Sequence, residues 1–113
     1  MDTDFAPLLR GGQVWVIEDK GHLIGLMVLI EAANYLELRS LAILPAHQKI
    51  GLGRKMISHA EEMARQHGHR TLHLYTNALL PELVSYYARL GFVVEKREFD
   101  HGFDRVFMVK ELN

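Results

Sequence analysis

The sequence predicts a mixed α/β (α+β) fold in the order strand, strand, strand, helix, strand, helix, strand, strand. Three observations carry this. Apolar, β-branched runs flank a glycine turn near the start, a stretch from Leu52 repeats its apolar residues at helical spacing, and alternating runs return on both sides of a second short helix.

Each element has its own signal. Gln13 to Asp19 (QVWVIED) is rich in aromatic and β-branched residues, KGH follows as a tight turn, and Leu23 to Ile30 is a second apolar run, so the two should pair as an antiparallel hairpin. Asn34 and Tyr35 break the pattern. Leu36 to Leu44 (LELRSLAIL) begins with alternation and ends wholly apolar, which predicts a third strand buried more deeply at its far end; Pro45 stops it because it has no N–H for a ladder.

From Leu52, the residues Leu52, Met56, Ile57, Ala60, Met63 and Ala64 share one helical face, and Gly68 stands where a C-cap belongs. Thr71 to Thr76 (TLHLYT) alternates as a strand. Pro81 and Gly91 bracket a helix of about three turns. The runs FVVEKREF and DRVFMVKEL, joined at Asp100 to Gly102, close the chain as two strands. With no repeat, low-complexity tract or linker, residues 1–113 are expected to form a single domain.

Composition narrows the function. Thirteen basic against fourteen acidic residues leave a formal charge of −1, so no broad field draws the chain to nucleic acid or an anionic membrane. The absence of cysteine removes thiolate metal sites, disulfides and a cysteine nucleophile. The start, MDTDFAPLLRGG, has no signal-peptide run and no stretch reaches membrane-spanning length, so a cytoplasmic location is expected. His67, His69 and His73 straddle a helix end, a loop and a strand, a spacing that suits surface histidines better than a metal site; no metal is expected. The acidic tip at Asp100 and Asp104 either helps choose a cationic acceptor or sits in water.

The chemistry concentrates in QKIGLGRK, Gln48 to Lys55. A helix N-terminus offers unpaired N–H groups and a partial positive charge, so strand, glycine turn and helix together hold an anion. Nothing fits the nucleotide P-loop, and Met56 stands where the dinucleotide fingerprint needs its third glycine. Gly51 and Gly53, lacking Cβ, let a diphosphate approach the main chain, where amides from Ile50 through Leu52 to Arg54 can converge on it. Gln48 offers a side-chain amide, and Lys49 and Arg54 add charge. The plainer alternative is that the two glycines only make a tight connection.

Gln48-Lys49-Ile50-Gly51-Leu52-Gly53, after the apolar strand and Pro45, resembles the acetyl-CoA signature of the GCN5-related N-acetyltransferases, the GNAT family. A second stretch, YTNALLPELVSYYARLGF, is similar to that family's later segment, with Asn77 and Tyr87 on its polar positions and Leu90-Gly91-Phe92 at its closing turn. The resemblance runs from about Val14 to the C-terminus. It implies a mixed, mainly antiparallel central sheet flanked by helices, and acetyl-CoA as co-substrate.

The activity the resemblance implies is transfer of an acetyl group to a primary amine, the amine attacking the thioester directly through a tetrahedral intermediate. In the family's pattern, main-chain amides near Ala42 and Ile43, where the third strand splays from the strand at Thr71, would hold the carbonyl and the pantetheine arm. Tyr87, four residues before the glycine of Leu-Gly-Phe, is the implied general acid, since a phenol with a reference pKa of about 10 carries its proton at neutral pH. Periodicity by itself does not choose between Tyr86 and Tyr87. Asn77 either bonds the pantetheine arm or caps the next helix. Glu37, the carboxylate of LELRSLAIL, is either the general base or a solvated strand-face residue paired with Arg39.

Family domains open with a strand and two helices before the first long hairpin. Here those helices are expected to be largely missing, FAPLL making at most a remnant, so the acceptor half looks shortened. A partner copy would then supply the missing wall, and the unfinished sheet edge favours a homodimer. The acceptor is an amine of a small molecule or a protein. A non-catalytic acyl-CoA-binding or regulatory module is the alternative reading.

Overall fold

The computed structural model describes residues 4–7, 14–48 and 51–113. Among the described residues seven strands share one sheet: β1 (Asp4–Pro7), β2 (Val14–Asp19), β3 (His22–Glu31), β4 (Leu36–Ile43), β5 (Thr71–Asn77), β6 (Val93–Asp100) and β7 (Phe103–Glu111). The helices are α1 (Leu52–Gln66) and α2 (Pro81–Arg89), with a 3-10 turn at Pro45–His47. Spatial order is β1-β2-β3-β4-β5-β7-β6. All neighbours run antiparallel except β4 and β5, which α1 connects as a parallel crossover.

The expected element order holds with one addition and one correction. Residues 5–7 of FAPLL are extended rather than helical: β1 pairs with β2 from Asp4–Glu18 to Pro7–Trp15. An outermost strand is where a proline costs no ladder bond, and β1 covers an edge that β2 would otherwise present. Gln13, Leu8 and Leu9 lie outside the described residues.

The turns explain themselves through backbone angles. Lys20 and Gly21 link β2 to β3 with φ of 53° and 81°, and His101 and Gly102 link β6 to β7 with φ of 50° and 81°. Two successive positive φ values give the hairpin turn whose twist matches its strands. Pro81 opens α2 in its first turn, and Gly68 and Gly91, at φ 80° and 101°, follow the two helix ends as predicted.

One face of the sheet carries the core. Ile17, Ile24, Met27, Leu29, Leu36, Leu38, Leu72, Leu74, Val106 and Met108 pack against Leu52, Met56, Ile57, Ala60 and Ala64 of α1 and against Leu90 and Phe92 after α2. Burying a side chain of this size fully contributes about 1.5–3 kcal/mol.

β4 departs from its predicted burial. Leu36 and Leu38 are buried, whereas Leu41 and Ile43 are only half-buried and Leu44 is 50% exposed. The cause is the pairing. β4 and β5 are joined only at Leu36–Leu72, Glu37–His73 and Leu38–Leu74, after which the strands part. Opposite β3, the register shifts and leaves Arg39 without a partner. The apolar end of β4 therefore packs against the core on one side and lines an opening on the other.

Candidate active site: a groove between β4, the glycine loop and α2

The opening is a cavity of about 440 Å³ lined by Leu41 and Ile43 of β4, Gln48, residues 51–54, and Leu83, Tyr86, Tyr87, Arg89 and Leu90. Three separate sequence segments meet there, which places both glycine-containing motifs on one groove.

The loop supplies main-chain donors. Gly51 is the N-cap of α1 with φ 79°, a left-handed conformation in which a Cβ would meet no atom within 4 Å, so glycine is needed there for its backbone angle alone. The first bond of the helix runs from Lys55 N to Gly51 O at 3.2 Å. The amides of Leu52, Gly53 and Arg54 precede it and have no carbonyl within the helix to bond, so they point out of its first turn. Lys49 and Ile50, both expected to contribute, lie outside the described residues.

Gly53 has a different reason to be glycine. A Cβ there would lie 1.8 Å from the Tyr86 hydroxyl and 3.2 Å from its Cζ. A phenol reaching across from α2 stands over this residue. Gln48 lines the cavity, and its Nε2 donates to the Ile43 carbonyl at 3.0 Å, which ties the loop to the end of β4.

Ala42 and Ile43 face opposite ways. The Ala42 carbonyl points toward β3, 3.3 Å from where a Cβ on Gly25 would sit, and Leu44 N donates to Ile24 O at 2.9 Å. Main-chain groups alternate along a strand, so those of Ile43 turn to the gap left by β5, where Gln48 reaches the carbonyl. Of the two residues, Ile43 is the one whose amide looks into the groove.

Both tyrosines reach the cavity. Their rings meet edge to face at 5.2 Å, and Tyr87 also abuts Phe92 at 5.9 Å. Burial, and then the neighbouring Tyr86, raises the Tyr87 phenol above its ordinary pKa, so its proton stays in place across the neutral range. Asn77 is not the N-cap of α2. Its Oδ1 accepts from Leu79 N at 2.9 Å, an Asx turn before the helix, while the N-cap of α2 is Leu80.

Glu37 lies on the other face of the sheet, since its neighbours Leu36 and Leu38 point into the core. It accepts from Arg39 Nη2 at 2.7 Å and stands in register with His73. His73 is stacked on Tyr35 at 4.0 Å, and burial lowers its pKa. His67 Nδ1 and His69 Nε2 meet the two oxygens of Glu31 at 3.2 and 2.9 Å. Asp104 accepts from both Nε and Nη2 of Arg97, which holds its carboxyl below the usual range. Among the described residues no three His, Asp or Glu side chains are grouped to hold a metal, and no helix is long and apolar enough to cross a membrane.

Residues 10–94 match the family model of the acetyltransferase (GNAT) domain. The chain belongs to the GNAT family. It is 33% identical over 86 residues to the uncharacterized N-acetyltransferase YjgM of Escherichia coli (strain K12), covering 73% of this chain and 52% of that protein. This GNAT chain thus spans about half the length of that relative. Its fold superposes on a GNAT family acetyltransferase from Elizabethkingia anophelis with acetyl-CoA bound, at a TM-score of 0.76, 16% identity, 88% of this chain and 75% of that one. It also matches the PaiA N-acetyltransferase of Thermoplasma acidophilum in complex with coenzyme A, at a TM-score of 0.75, 26% identity, 87% of this chain and 59% of that one.

Sequence reasoning did not place Arg89 at the groove and carried Tyr86 only as the alternative to Tyr87. Arg89 had a readable signal, since it lies three residues after Tyr86 and so on the same side of α2. The position of Tyr86 over Gly53 had none, because it depends on how closely α2 approaches the start of α1.

Proposed function

We propose that this chain is an acetyl-CoA-dependent N-acetyltransferase that acts on a primary amine. The observation that carries the reading is the meeting of Ile43, the first turn of α1 and Tyr87 on one 440 Å³ cavity. The residues present suit the co-substrate. Free amides at Leu52 to Arg54 and the Arg54 guanidinium favour a diphosphate at one end, while apolar Leu41, Ile43 and Leu83 favour the pantetheine arm.

The gap between β4 and β5 is where the acyl end would meet an amine approaching from the opposite face. The Ile43 amide stabilises negative charge on the thioester carbonyl as the amine nitrogen adds to it. As the C–S bond breaks, Tyr87 gives its proton to the departing sulfur. The proton lost by the amine goes to water or to Glu37, the carboxylate on the amine's side. We place the activity in one domain, in the cytoplasm, as a monomer or a homodimer whose second copy walls the open face.

Calorimetric titration with coenzyme A, followed by thiol release from acetyl-CoA across a panel of amines, tests this reading. Saturable binding with amine-dependent thiol release is expected. No binding would refute the cofactor assignment, and binding without release on any amine would replace the enzyme with a non-catalytic acyl-CoA-binding module.

A further inference from the structure

We propose that the Tyr86 hydroxyl is a ligand of the coenzyme's diphosphate, completing with Arg54 and Arg89 an anion site that the loop's main chain only begins. The inference rests on the acetyl-CoA reading above and assigns one further residue to it.

Three observations converge. The first is position: the hydroxyl lies directly over Gly53, where a Cβ would be 1.8 Å from it, inside the first turn of α1 and on the wall of the cavity. The second is availability. Tyr86 makes ring contacts with Tyr87, yet its hydroxyl has no hydrogen-bond partner among the described residues. A hydroxyl on the cavity wall with no protein partner is available to a ligand oxygen.

The third observation is charge. Arg39, Arg65 and Arg97 each pair with a carboxylate, at Glu37, Glu62 and Asp104. Arg54 and Arg89 line the cavity, and among the described residues neither pairs with a carboxylate. Both lie close enough to Tyr86 to oppose the rise that burial causes in its pKa. A phenol donor between two uncommitted guanidiniums, over free helix amides, fits a group with two negative charges and several acceptor oxygens. The same geometry explains the glycine at position 53, since any side chain there would expel the hydroxyl.

The test compares two donors that share a thioester and pantetheine arm and differ in the diphosphate and the nucleotide it carries. For the Tyr86→Phe chain, the ratio of kcat/KM for acetyl-CoA to that for S-acetylpantetheine should fall about tenfold, with coenzyme A affinity by calorimetry falling in step. Gly53→Ala should lower coenzyme A affinity in the natural chain and add little in the Tyr86→Phe chain, where the added methyl no longer meets an oxygen. An equal loss on both donors would move the hydroxyl's action to the thioester end and overturn the proposal. So would a ratio that does not move, or independent losses from the two substitutions, either of which would leave Tyr86 a packing residue. If the natural chain bound no coenzyme A, the function itself would fail, which the unsubstituted control shows before any variant is compared.

Discussion

The two faces of the sheet follow different rules. The helix-covered face is built from aliphatic and methionine side chains at alternate strand positions, nearly all fully buried. The opposite face carries Tyr35, Glu37, His73, Tyr75, Lys96, Arg105 and Phe107, with Tyr75 and Phe107 tilted together at 5.7 Å and Lys96 Nζ 4.9 Å from the Phe107 ring. A face that bonds through stacked rings and charges tolerates water along its length, whereas the aliphatic face excludes it except where the groove opens beside the glycine loop. The candidate groove opens on the first face and the carboxylate Glu37 on the second, so the gap between β4 and β5 lies between two chemically distinct surfaces.

Activity should separate the faces most sharply. Tyr87→Phe on the helix side is expected to lower kcat by about 10²-fold or more, the usual span for a lost general acid, with an unchanged melting temperature. Glu37→Gln on the open side should cost less, since water can take the amine's proton in its place. Steady-state rates on the best amine check both, and a Tyr87→Phe chain with full turnover would remove the acid assignment.

Stability should divide the same way with a smaller range. Met56→Ala leaves a cavity in the core and is expected to cost about 2–5 kcal/mol in denaturant unfolding. Lys96→Ala removes an exposed cation over a ring and should cost less than about 1 kcal/mol. Comparable losses would mean that the open face is covered in solution.

The glycine loop offers an intermediate test. Gly51→Ala meets no steric contact, so only its left-handed φ opposes it, at about 1–2 kcal/mol of stability. Coenzyme affinity should fall with it, because the amides of α1 start from that turn.

The smallest effect belongs to the rim. Hydrogen bonds from His69 and His67 lower the pKa of Glu31. Its contribution is therefore present above the ordinary glutamate range and is lost as pH falls through the depressed value. The melting-temperature difference between the natural chain and Glu31→Gln should be measurable near neutral pH and vanish in acid. A difference that persists below that range would show that the carboxylate's charge is not what matters.

Much of the fold was legible because it is written in local periodicity. The helical stripe from Leu52 to Ala64, the hairpin about Lys20 and Gly21, and the ends set by Pro81, Gly68 and Gly91 all follow from spacing and backbone preference within a few residues. The site was legible in part. Gly51 and Tyr87 stood in recognisable patterns, and the structure brings both to one groove.

What sequence could not supply were the distances between segments. An apolar run reads as buried whether it meets a core or an opening, so the exposure of Leu44 and the half-burial of Ile43 awaited the parting of β4 from β5. Gly53 is written like Gly51, but one is glycine for its own backbone angle and the other for a hydroxyl arriving from thirty-three residues downstream. The chain alone determined which elements form, because propensity and periodicity act over a few residues. Tertiary structure decided which side chains share a space, because that depends on how strands and helices approach one another, a long-range quantity that neighbouring residues do not encode.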